Sequence, residues 1–340
     1  MKILITGATG YIGAHTAKRF SGAGHDLRLL LRPTSKLDLL TGLEYERTEG
    51  DITDQGSVER ALEGVDALVH MAGNTSFLPQ DSERVHQINV DGTRNVMQAA
   101  LNQGVKKVLY TSSVAAIGHA ESADIVPDES HKWTSGSIAN HYIASKYQAE
   151  QTAWELAAKG LDLVCVNPSI VLGPGDMYGS STVIFLSFIK GKYPGYIRGG
   201  SAYVEVRDVA DGHVAVFEKG TFGERYILSV ENLTNAEFTG LGAGLAGTKA
   251  PPRIPYVLGY LGALFNEQVT SRFDPSRADF NRKTVKVGAA CWFVDNSKSV
   301  NELGMSYRPI KNSARDTLRW AMKNGHLKAS TPELEALLNT

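Results

Sequence analysis

Short apolar runs alternate with longer amphipathic stretches through the first two thirds of the chain. The runs are rich in β-branched residues and lack polar alternation, which predicts strands buried on both faces. The stretches between them space their apolar residues three and four positions apart, which predicts helices with one buried face. We predict strands at residues 2–6, 26–31, 44–48, 66–70, 107–111 and 161–166. We predict helices at residues 11–21, 54–63, 84–103 and 138–159.

This alternation predicts an α/β fold whose doubly wound parallel sheet, built with right-handed crossovers, is covered by helices on both faces. The alternation of strands and helices stops after Asn167-Pro168, where glycine and proline residues predict loops. Beyond that point we expect helices at 180–190, 208–219 and 313–324, strands at 202–206 and 224–229, and a mostly helical stretch from Thr234. The predicted domains are residues 1–167 with 204–231, a smaller lobe of 168–203 with 232–330, and a tail of 331–340.

Three glycines at three-residue steps join the first strand to the first helix, in the sequence Gly7-Ala8-Thr9-Gly10-Tyr11-Ile12-Gly13. One glycine allows a tight turn, another lets the backbone approach a pyrophosphate, and the third lets the helix pack close to the strand. The free N–H groups and partial positive charge of the helix N-terminus hold phosphates. We therefore expect a dinucleotide site here rather than a plain connecting turn. The predicted contacts come from Gly7, Thr9, Gly10, Tyr11, Ile12 and Gly13.

The end of the second strand bears on the choice between NADP and NAD. A carboxylate there would accept hydrogen bonds from the adenosine ribose and select NAD. The strand instead ends in Arg32, with Lys36 close behind. A guanidinium matches a 2′-phosphate in charge and in bidentate geometry. We expect NADP as the cofactor, with NAD as the alternative, and a solvated basic loop is the other interpretation of these two residues.

Residues that follow the next two strand ends are also cofactor candidates, because open α/β sheets bind ligands at that edge. Asp51 and Ile52 follow the third strand, and we expect Asp51 to meet the adenine amino group, with a helix N-cap as the alternative. The segment Met71-Ala72-Gly73 follows the fourth strand, where small residues allow a cofactor to lie close. His70 is expected to be a packed strand-end residue rather than a ligand.

Composition narrows the class of protein. The 340 residues include 35 basic and 36 acidic ones, and the net charge of -1 predicts no binding to nucleic acid or to a membrane. The two cysteines, Cys165 and Cys291, form no disulfide framework, and no secretory signal is recognisable, so we expect a cytoplasmic protein. The longest apolar stretch, residues 256–265, is too short to span a bilayer and suggests a hydrophobic lid. The histidines follow no metal-binding pattern, so no metal site is expected.

Candidate catalytic residues lie at the end of the fifth strand and on the helix after it. Tyr142 and Lys146 are four residues apart, so they share one face of that helix. An ammonium near a phenol stabilises the phenolate and lowers the pKa of the tyrosine, which can then exchange a proton with a substrate oxygen. Ser113 follows the fifth strand and is positioned to hold the same oxygen by a hydrogen bond.

The motifs of the chain, taken together, form a recognisable set. They are Thr6 with the glycine-rich loop, Asp51-Ile52, His70-Met71-Ala72-Gly73, Asn89-Val90-Asp91-Gly92-Thr93, Thr111-Ser112-Ser113, Tyr142 with Lys146, Asn167-Pro168, Gly173-Pro174-Gly175, the stretch 203–210, and Asp295-Asn296-Ser297-Lys298. This set resembles the extended class of the short-chain dehydrogenase/reductase family, of the NAD-dependent epimerase/dehydratase type. Most of the resemblance lies within residues 1–229.

The resemblance implies a Rossmann domain that binds the dinucleotide and a smaller lobe that binds substrate. It implies that Tyr142 is the acid/base, that Lys146 binds the nicotinamide ribose and tunes the tyrosine, and that Ser113 orients the substrate oxygen. Ser113 is preferred to Ser112 because the active serine of the family lies five residues before a glycine, here Gly118. Further implied cofactor contacts are Asn89, Thr111, Tyr142, Lys146, Pro168, Ser169 and Ile170.

The shared catalytic residues do not separate the reductases, sugar-nucleotide epimerases and dehydratases of this class. The dehydratases usually carry threonine in place of Ser113, followed by an Asp-Glu pair, and neither is present here. Many UDP-sugar epimerases have an arginine where this chain has Ser201, and Arg198 is displaced by two glycines. With Arg32, these departures favour a reductase of ketones or aldehydes that uses NADPH, nearest to dihydroflavonol-reductase-like and hopanoid-associated sugar-epimerase-like members. A sugar-nucleotide epimerase and a non-catalytic NADP-binding sensor or scaffold are the alternatives.

The resemblance also bears on the substrate and on the assembly of the protein. The resemblance implies a small-molecule carbonyl or alcohol substrate, and a homodimer through a four-helix contact of helices 84–103 and 138–159. Ala99, Ala100, Ala149 and Ala153 would allow close approach in that contact. The candidate substrate contacts are Thr75, Ser76, Phe77, Ser113, Asn140 and Tyr178.

Overall fold

The computed structural model describes residues 1–120, 125–177, 179, 181–274 and 278–339. Two sheets are present in these ranges. The strands are β1 (Lys2–Thr6), β2 (Asp26–Leu31), β3 (Glu46–Glu49), β4 (Ala67–His70), β5 (Lys107–Thr111), β6 (Asp162–Pro168), β7 (Ile170–Leu172), β8 (Gly200–Glu205), β9 (Arg225–Leu228), β10 (Glu231–Thr234) and β11 (Cys291–Trp292). Seven of them form a fully parallel sheet in the order β3-β2-β1-β4-β5-β6-β9, which confirms the predicted doubly wound α/β fold.

Helices follow the strands along the chain. They are α1 (Tyr11–Gly22), α2 (Gln55–Leu62), α3 (Ser82–His86), α4 (Gly92–Asn102), α5 (Val114–Ile117), α6 (His141–Ala157), α7 (Thr182–Ile189), α8 (Val206–Lys219), α9 (Asn235–Ala246), α10 (Tyr256–Phe265), α11 (Ser271–Phe273), α12 (Arg282–Ala289), α13 (Ser297–Leu303), α14 (Ile310–Lys323) and α15 (Pro332–Leu338). π-Helical turns at Gln87–Asp91 and Asn266–Thr270 join α3 to α4 and α10 to α11. Single 3₁₀ turns lie at Asp38–Leu40, Pro79–Asp81 and Ser135–Ser137.

The parallel sheet is buried on both faces at β1, whose successive side chains point to opposite sides of the sheet. On β1, Ile3 and Ile5 face one core, which α1 and α8 cover. Leu4 faces the other core, which α2, α4 and α6 cover. This explains why the three central residues of β1, Ile3 to Ile5, are all apolar and do not alternate with polar ones.

The second sheet was not predicted. Strand β8 lies at its centre, antiparallel to β10 and parallel to β7 and β11. Strands β7 and β11 are three and two residues long, too short to give a periodic signal in the sequence. This sheet packs with α7, α9 and α14 around the core of the smaller lobe.

Several predicted boundaries shift in the structure. The third strand covers 46–49 rather than 44–48. The helix expected at 84–103 is broken into α3, a π-helical turn and α4. Helix α6 begins after Asn140 because the side chain of that residue caps it, accepting a hydrogen bond from the backbone N–H of Ile143 at 2.9 Å. Strand β9 belongs to the large sheet, whereas β8 belongs to the small one. The division of the chain into residues 1–167 with 204–231 and residues 168–203 with 232–330 remains a prediction.

The alanines offered for a helix contact between subunits are not on the surface. Ala99, Ala100, Ala149 and Ala153 are fully buried in the core shared by α4, α6 and the sheet of the same chain. They fill the interior because α4 and α6 pack directly on each other. The argument from these four residues is therefore wrong, and the homodimer itself stays a prediction.

Candidate active site

A cavity of about 770 Å³ lies at the carboxyl ends of the parallel strands, with walls from both lobes. This is the edge at which open α/β sheets bind ligands. The structure brings together around it most of the residues proposed from the sequence. These are Gly7, Thr9, Gly10, Tyr11, Ile12, Gly13, Arg32, Lys36, Asp51, Ile52, Met71, Ala72, Gly73, Thr75, Phe77, Thr111, Ser113, Tyr142, Pro168, Ser169 and Ile170.

The glycine-rich loop forms a tight cradle between β1 and α1. Gly7 has a φ of +78°, and a Cβ there would lie 2.6 Å from the backbone nitrogen of Ala72. A Cβ on Gly13 would overlap the carbonyl oxygen of Gly7, so only glycine lets α1 start this close to the strand. No side chain caps the N-terminus of α1, which leaves backbone N–H groups directed at the cavity. This arrangement fits the pyrophosphate of a dinucleotide.

The wall beyond the end of β2 carries both basic and acidic side chains. Arg32 and Lys36 line the cavity, and within the described residues Arg32 makes no ion pair. A smaller adjoining cavity of about 430 Å³ adds Arg60 together with the acidic Glu49 and Asp54. Arg60 was missed in the sequence because it lies on α2 and follows no motif. Asp51 does not cap a helix, because its Oδ1 accepts hydrogen bonds from the backbone and hydroxyl of Thr53, and Asp54 caps α2 instead.

Tyr142 and Ser113 face the cavity from neighbouring elements. Ser113 follows β5 and caps α5, where its Oγ accepts a hydrogen bond from the backbone N–H of Ala115 at 3.2 Å. Tyr142 lies in the first turn of α6 and packs against Phe77, with ring centroids 5.2 Å apart. Burial raises the pKa of Tyr142, and a hydrogen bond with Ser113 partly offsets this rise. The expected lowering of the pKa is therefore wrong for this structure, since desolvation is the larger effect.

Lys146 lies behind the cavity wall. Its ammonium donates a hydrogen bond to the backbone carbonyl of Thr111 at 2.9 Å, and Thr111 itself lines the cavity. The Thr111 hydroxyl hydrogen-bonds to Nε2 of the buried His213 at 2.9 Å. Burial lowers the pKa of Lys146 to about 8, although the buried carboxylate of Glu150 raises it. The lysine charge is therefore held in a dry site one helical turn from Tyr142.

Other residues proposed from the sequence lie outside the cavity lining. Asn89 is buried and holds the loop beside the cavity through its two side-chain hydrogen bonds to the backbone of Asn74. Ser76 lies on that loop, and its carbonyl is hydrogen-bonded to Nε2 of His141 at 2.9 Å. Asn140 caps α6. Tyr178 lies outside the described residues.

His70 is a packed residue, as expected. Its side chain is fully buried, with Nδ1 2.7 Å from the hydroxyl of Thr6 and Nε2 3.2 Å from that of Thr93. The Thr6 hydroxyl also accepts hydrogen bonds from the backbone N–H groups of Met71 and Ala72. His70 therefore helps to fix the segment that follows β4.

The smaller lobe supplies an uncharged wall opposite Tyr142, which the sequence analysis missed. Val287 and Trp292 lie in one apolar cluster with Tyr142 and Ile143. Trp292 pairs with Ser201 in the register of β11 and β8, and both residues line the cavity. A Cβ on Gly200 would lie 2.6 Å from the ring of Phe293, so the glycine lets the chain of β11 approach β8. Arg198, which precedes the two glycines, is exposed and is not part of the lining.

Comparison with known proteins places this geometry in a family. A model of the NAD-dependent epimerase/dehydratase family matches residues 3–229. A dihydroflavonol 4-reductase-like protein of Synechocystis sp. is 34% identical over 330 residues, which cover 95% of each chain. Sterol demethylase protein B of Methylococcus capsulatus is 31% identical over 331 residues, covering 96% of this chain and 99% of the relative. The crystal structure of gox2253 is 35% identical, with a TM-score of 0.85, and covers 96% of this chain and 99% of that chain.

The chain belongs to the NAD-dependent epimerase/dehydratase family. The resemblance found in the sequence is thereby confirmed, and the protein is an NAD(P)-dependent enzyme of the extended short-chain dehydrogenase/reductase type. Membership of this family agrees with the close approach of Gly7 and Gly13, whose geometry by itself fits a bound dinucleotide. Within the described ranges, no helix is long and apolar enough to cross a membrane.

Proposed function

We propose that this enzyme reduces a ketone or aldehyde to an alcohol, with NADPH as the reductant and Tyr142 as the general acid. The observation that carries this proposal is that Tyr142 and Ser113 face the same cavity as the glycine-rich cradle. The residues that would hold the dinucleotide are Gly10, Ile12 and Gly13 at its pyrophosphate and Arg32 with Lys36 at its adenosine end. Bound NADPH would supply the hydride to the carbonyl carbon.

The proton for the new alcohol comes from Tyr142. Because burial raises the pKa of its phenol, the side chain stays protonated at neutral pH and can donate to the carbonyl oxygen. The Ser113 hydroxyl donates a second hydrogen bond to the same oxygen and stabilises the negative charge that develops there. As Tyr142 gives up its proton, the ammonium of Lys146 favours the phenolate that remains, since a charge in a dry site is weakly screened.

The preference for NADPH rests on the adenosine end of the cavity. Arg32 and Lys36 line it, and Arg60 lines the adjoining smaller cavity together with Glu49, Asp51 and Asp54. A 2′-phosphate carries negative charge and several acceptor oxygens, which arginine side chains bind with two parallel hydrogen bonds. The ribose of NAD would instead be matched by a carboxylate at the end of β2, the position that Arg32 occupies.

The surroundings of Tyr142 favour an uncharged substrate. Phe77, Val287 and Trp292 lie on the walls near the reacting hydroxyl. A nucleoside diphosphate would bring two or more negative charges. Besides Arg32 and Lys36 at the adenosine end, the cavity lining holds one more basic side chain, that of Arg84 on α3, and the described residues of the smaller-lobe wall offer none. Because Ser201 stands where many UDP-sugar epimerases have an arginine and Trp292 adds an apolar wall beside it, the geometry supports a reductase better than an epimerase.

A coenzyme-oxidation screen with product analysis tests the proposal. Purified enzyme is incubated with NADPH and a panel of uncharged ketones and aldehydes, among them 2-tetralone and 2-decalone, and separately with UDP-glucose. We expect consumption of NADPH with one alcohol formed for each coenzyme oxidised. Conversion of UDP-glucose into its epimer without net coenzyme oxidation, together with co-purified NAD, would establish the epimerase alternative instead.

A further inference from the structure

An exposed apolar stripe runs along the smaller lobe. Helix α10, the π-helical turn after it and α11 form one continuous helical run over residues 256–273. Large apolar side chains on this run are open to solvent, including Leu258 at 60%, Phe265 at 62% and Phe273 at 86% exposure. Val257, Leu261 and Val269 are also exposed. An exposed apolar surface of this extent marks an interaction site.

The stripe is one face of an amphipathic helix. Val257, Leu261, Phe265 and Val269 follow each other at four-residue steps, so their side chains lie above one another on the same side. The opposite side is buried, with Gly259 and Ala263 turned towards the lobe. Helix α12 packs on that inner side. The outward residues therefore contribute little to the core of the lobe.

Exposed basic residues lie on the chain segments next to the stripe, before α10, on α11 and on the adjoining helix α12. Arg253 precedes α10, Arg272 lies on α11, and Lys283 and Lys286 lie on α12, and all four are exposed. The nearby acidic side chain of Glu267 is neutralised by an ion pair with Arg282 at 2.7 Å. Residues 249–286 contain seven basic and three acidic residues, although the chain as a whole has a net charge of -1.

We propose that this face, residues 256–273 with the basic side chains around it, docks on the surface of an anionic lipid bilayer. A helix with exposed leucine, valine and phenylalanine on one side and flanking basic residues lies in the plane of the bilayer interface, with its apolar side among the acyl chains. The basic residues bind anionic headgroups. The sequence predicted no membrane partner because the overall charge hides this local excess.

A second copy of the chain fits the face less well. A twofold dimer would place the same patch against itself, so the basic side chains around each stripe would face those of the partner. Like charges brought together in this way oppose association. The same charges attract an anionic membrane, which is why we assign lipid as the occupant.

The docking face adjoins the substrate end of the active site. Helix α12 packs against α10 and also supplies Val287 to the cavity wall. If the proposed reduction of an apolar carbonyl holds, docking would place the cavity near substrates dissolved in the bilayer. This connection rests on the proposed function, whereas the docking itself does not.

Vesicle co-sedimentation of the full-length protein tests the docking. Vesicles of phosphatidylcholine alone are compared with equimolar phosphatidylcholine and phosphatidylglycerol, at low and high salt. The variants are L261E/F265E, which removes the apolar stripe, and K283Q/K286Q, which reduces the basic charge. The matched control is F222E, since Phe222 is also exposed but lies in the turn before β9. Circular dichroism and NADPH binding verify that each variant is folded.

We expect the wild-type protein and F222E to sediment with the anionic vesicles. L261E/F265E should lose about tenfold or more of its vesicle partitioning, and K283Q/K286Q a smaller part that disappears at high salt. No sedimentation with anionic vesicles would overturn the proposal. Equal binding to both vesicle types would overturn its electrostatic part, and a wild-type dimer that L261E/F265E dissociates, without vesicle binding, would assign the face to a second copy. Each of these results is independent of whether NADPH is oxidised.

Discussion

The ammonium of Lys146 donates a hydrogen bond to the backbone carbonyl of Thr111 at 2.9 Å, at the point where β5 ends and the cavity begins. This bond fixes the lysine to the sheet rather than to solvent. The hydroxyl of the same threonine is hydrogen-bonded to His213 on α8, so Thr111 joins α6 to the helix on the other face of the sheet. The charge of Lys146 is thereby held in place before any substrate binds.

The titration of Lys146 should limit the reaction at high pH. Its pKa is lowered to about 8 by burial, so the ammonium is lost as the pH rises through that value. We expect kcat/KM for reduction to be flat at lower pH and to fall above about 8, whereas the Tyr142 phenol, with its raised pKa, stays protonated throughout. A profile of kcat/KM against pH measures this fall, the alkaline limb of the profile. Lys146→Arg should move it to higher pH or remove it, and an unchanged limb in that variant would assign it to another group.

Glu150 should act on both stability and this pH profile. Its carboxylate is fully buried, pairs with Arg225 at 2.8 Å and accepts a hydrogen bond from Asn167, which in turn donates to the carbonyl of Ser113. Glu150→Gln leaves Arg225 without its buried partner, which we expect to cost about 3–5 kcal/mol in urea unfolding. Because Glu150 raises the pKa of Lys146, the same variant should shift the alkaline limb to lower pH.

The matched control for this variant is Glu224→Gln. Glu224 pairs with Lys298 at 2.7 Å but its side chain is half exposed, so we expect a loss below about 1 kcal/mol. Similar losses for the two variants would contradict the role given to the buried pair.

Gly13→Ala should disable the cofactor cradle. The new methyl group would overlap the carbonyl oxygen of Gly7, so the backbone must move. We expect a stability loss of about 1–3 kcal/mol and a large loss of NADPH affinity, measured by urea unfolding and fluorescence titration. Gly22→Ala lies at the other end of α1, where a Cβ meets nothing within 4 Å, and should leave both quantities nearly unchanged. Normal NADPH binding by Gly13→Ala would show that the cradle is not the pyrophosphate site.

Arg32→Glu should exchange the coenzyme preference. The substitution removes a cation from the adenosine end and provides a carboxylate for a ribose. We expect the affinity for NADPH to fall about 10–100-fold while that for NADH is kept or improved. Titration of both coenzymes measures the change, and Arg94→Ala, an exposed arginine on α4, is the control. A wild-type enzyme that binds NADH more tightly than NADPH would contradict the assignment.

Two buried histidines should make the protein sensitive to acid. Burial lowers the pKa of His70 to about 3 and that of His213 to about 4, whereas both would titrate near their ordinary value when unfolded. At a pH between the lowered pKa values and the ordinary histidine pKa, the unfolded chain binds protons that the folded protein does not. The free energy of unfolding must therefore fall as the pH decreases from about 6.5 to about 4. Urea unfolding across this range measures the slope. His213→Gln should reduce it, and an undiminished slope would show that other groups dominate.

The sequence was sufficient to predict the large sheet and to propose candidate cofactor residues that the structure brings together at one edge of it. The centre of a strand such as β1 is a run of apolar residues because both of its faces are buried. The glycine spacing reflects a contact between Gly13 and Gly7 that no other residue permits. Tyr142 could be proposed because it precedes a lysine by four residues on a predicted helix, and Ser113 because it follows the end of a predicted strand. These signals are all short-range in the chain.

The wall that the smaller lobe adds to the cavity could not be predicted because it depends on contacts between distant segments. Trp292 reaches the cavity through a two-residue strand that pairs with β8, some ninety residues earlier in the chain. The pKa of Tyr142 was predicted in the wrong direction because the sequence shows the nearby lysine but not how deeply the phenol is buried. The outward direction of the apolar side chains on α10, which resembled a lid in sequence, also needed the packed lobe to be recognised.

The central claim, proton transfer by Tyr142 during carbonyl reduction, is tested most directly by Tyr142→Phe beside the control Tyr147→Phe. Tyr147 lies on the same helix, stacked on Trp133 with centroids 4.1 Å apart and outside the cavity lining, so its hydroxyl has no part in the reaction. We predict that Tyr142→Phe loses about 10²–10⁴-fold in NADPH-dependent turnover with unchanged NADPH affinity, while Tyr147→Phe keeps its activity. Turnover by Tyr142→Phe within a few-fold of the wild-type rate would contradict the account.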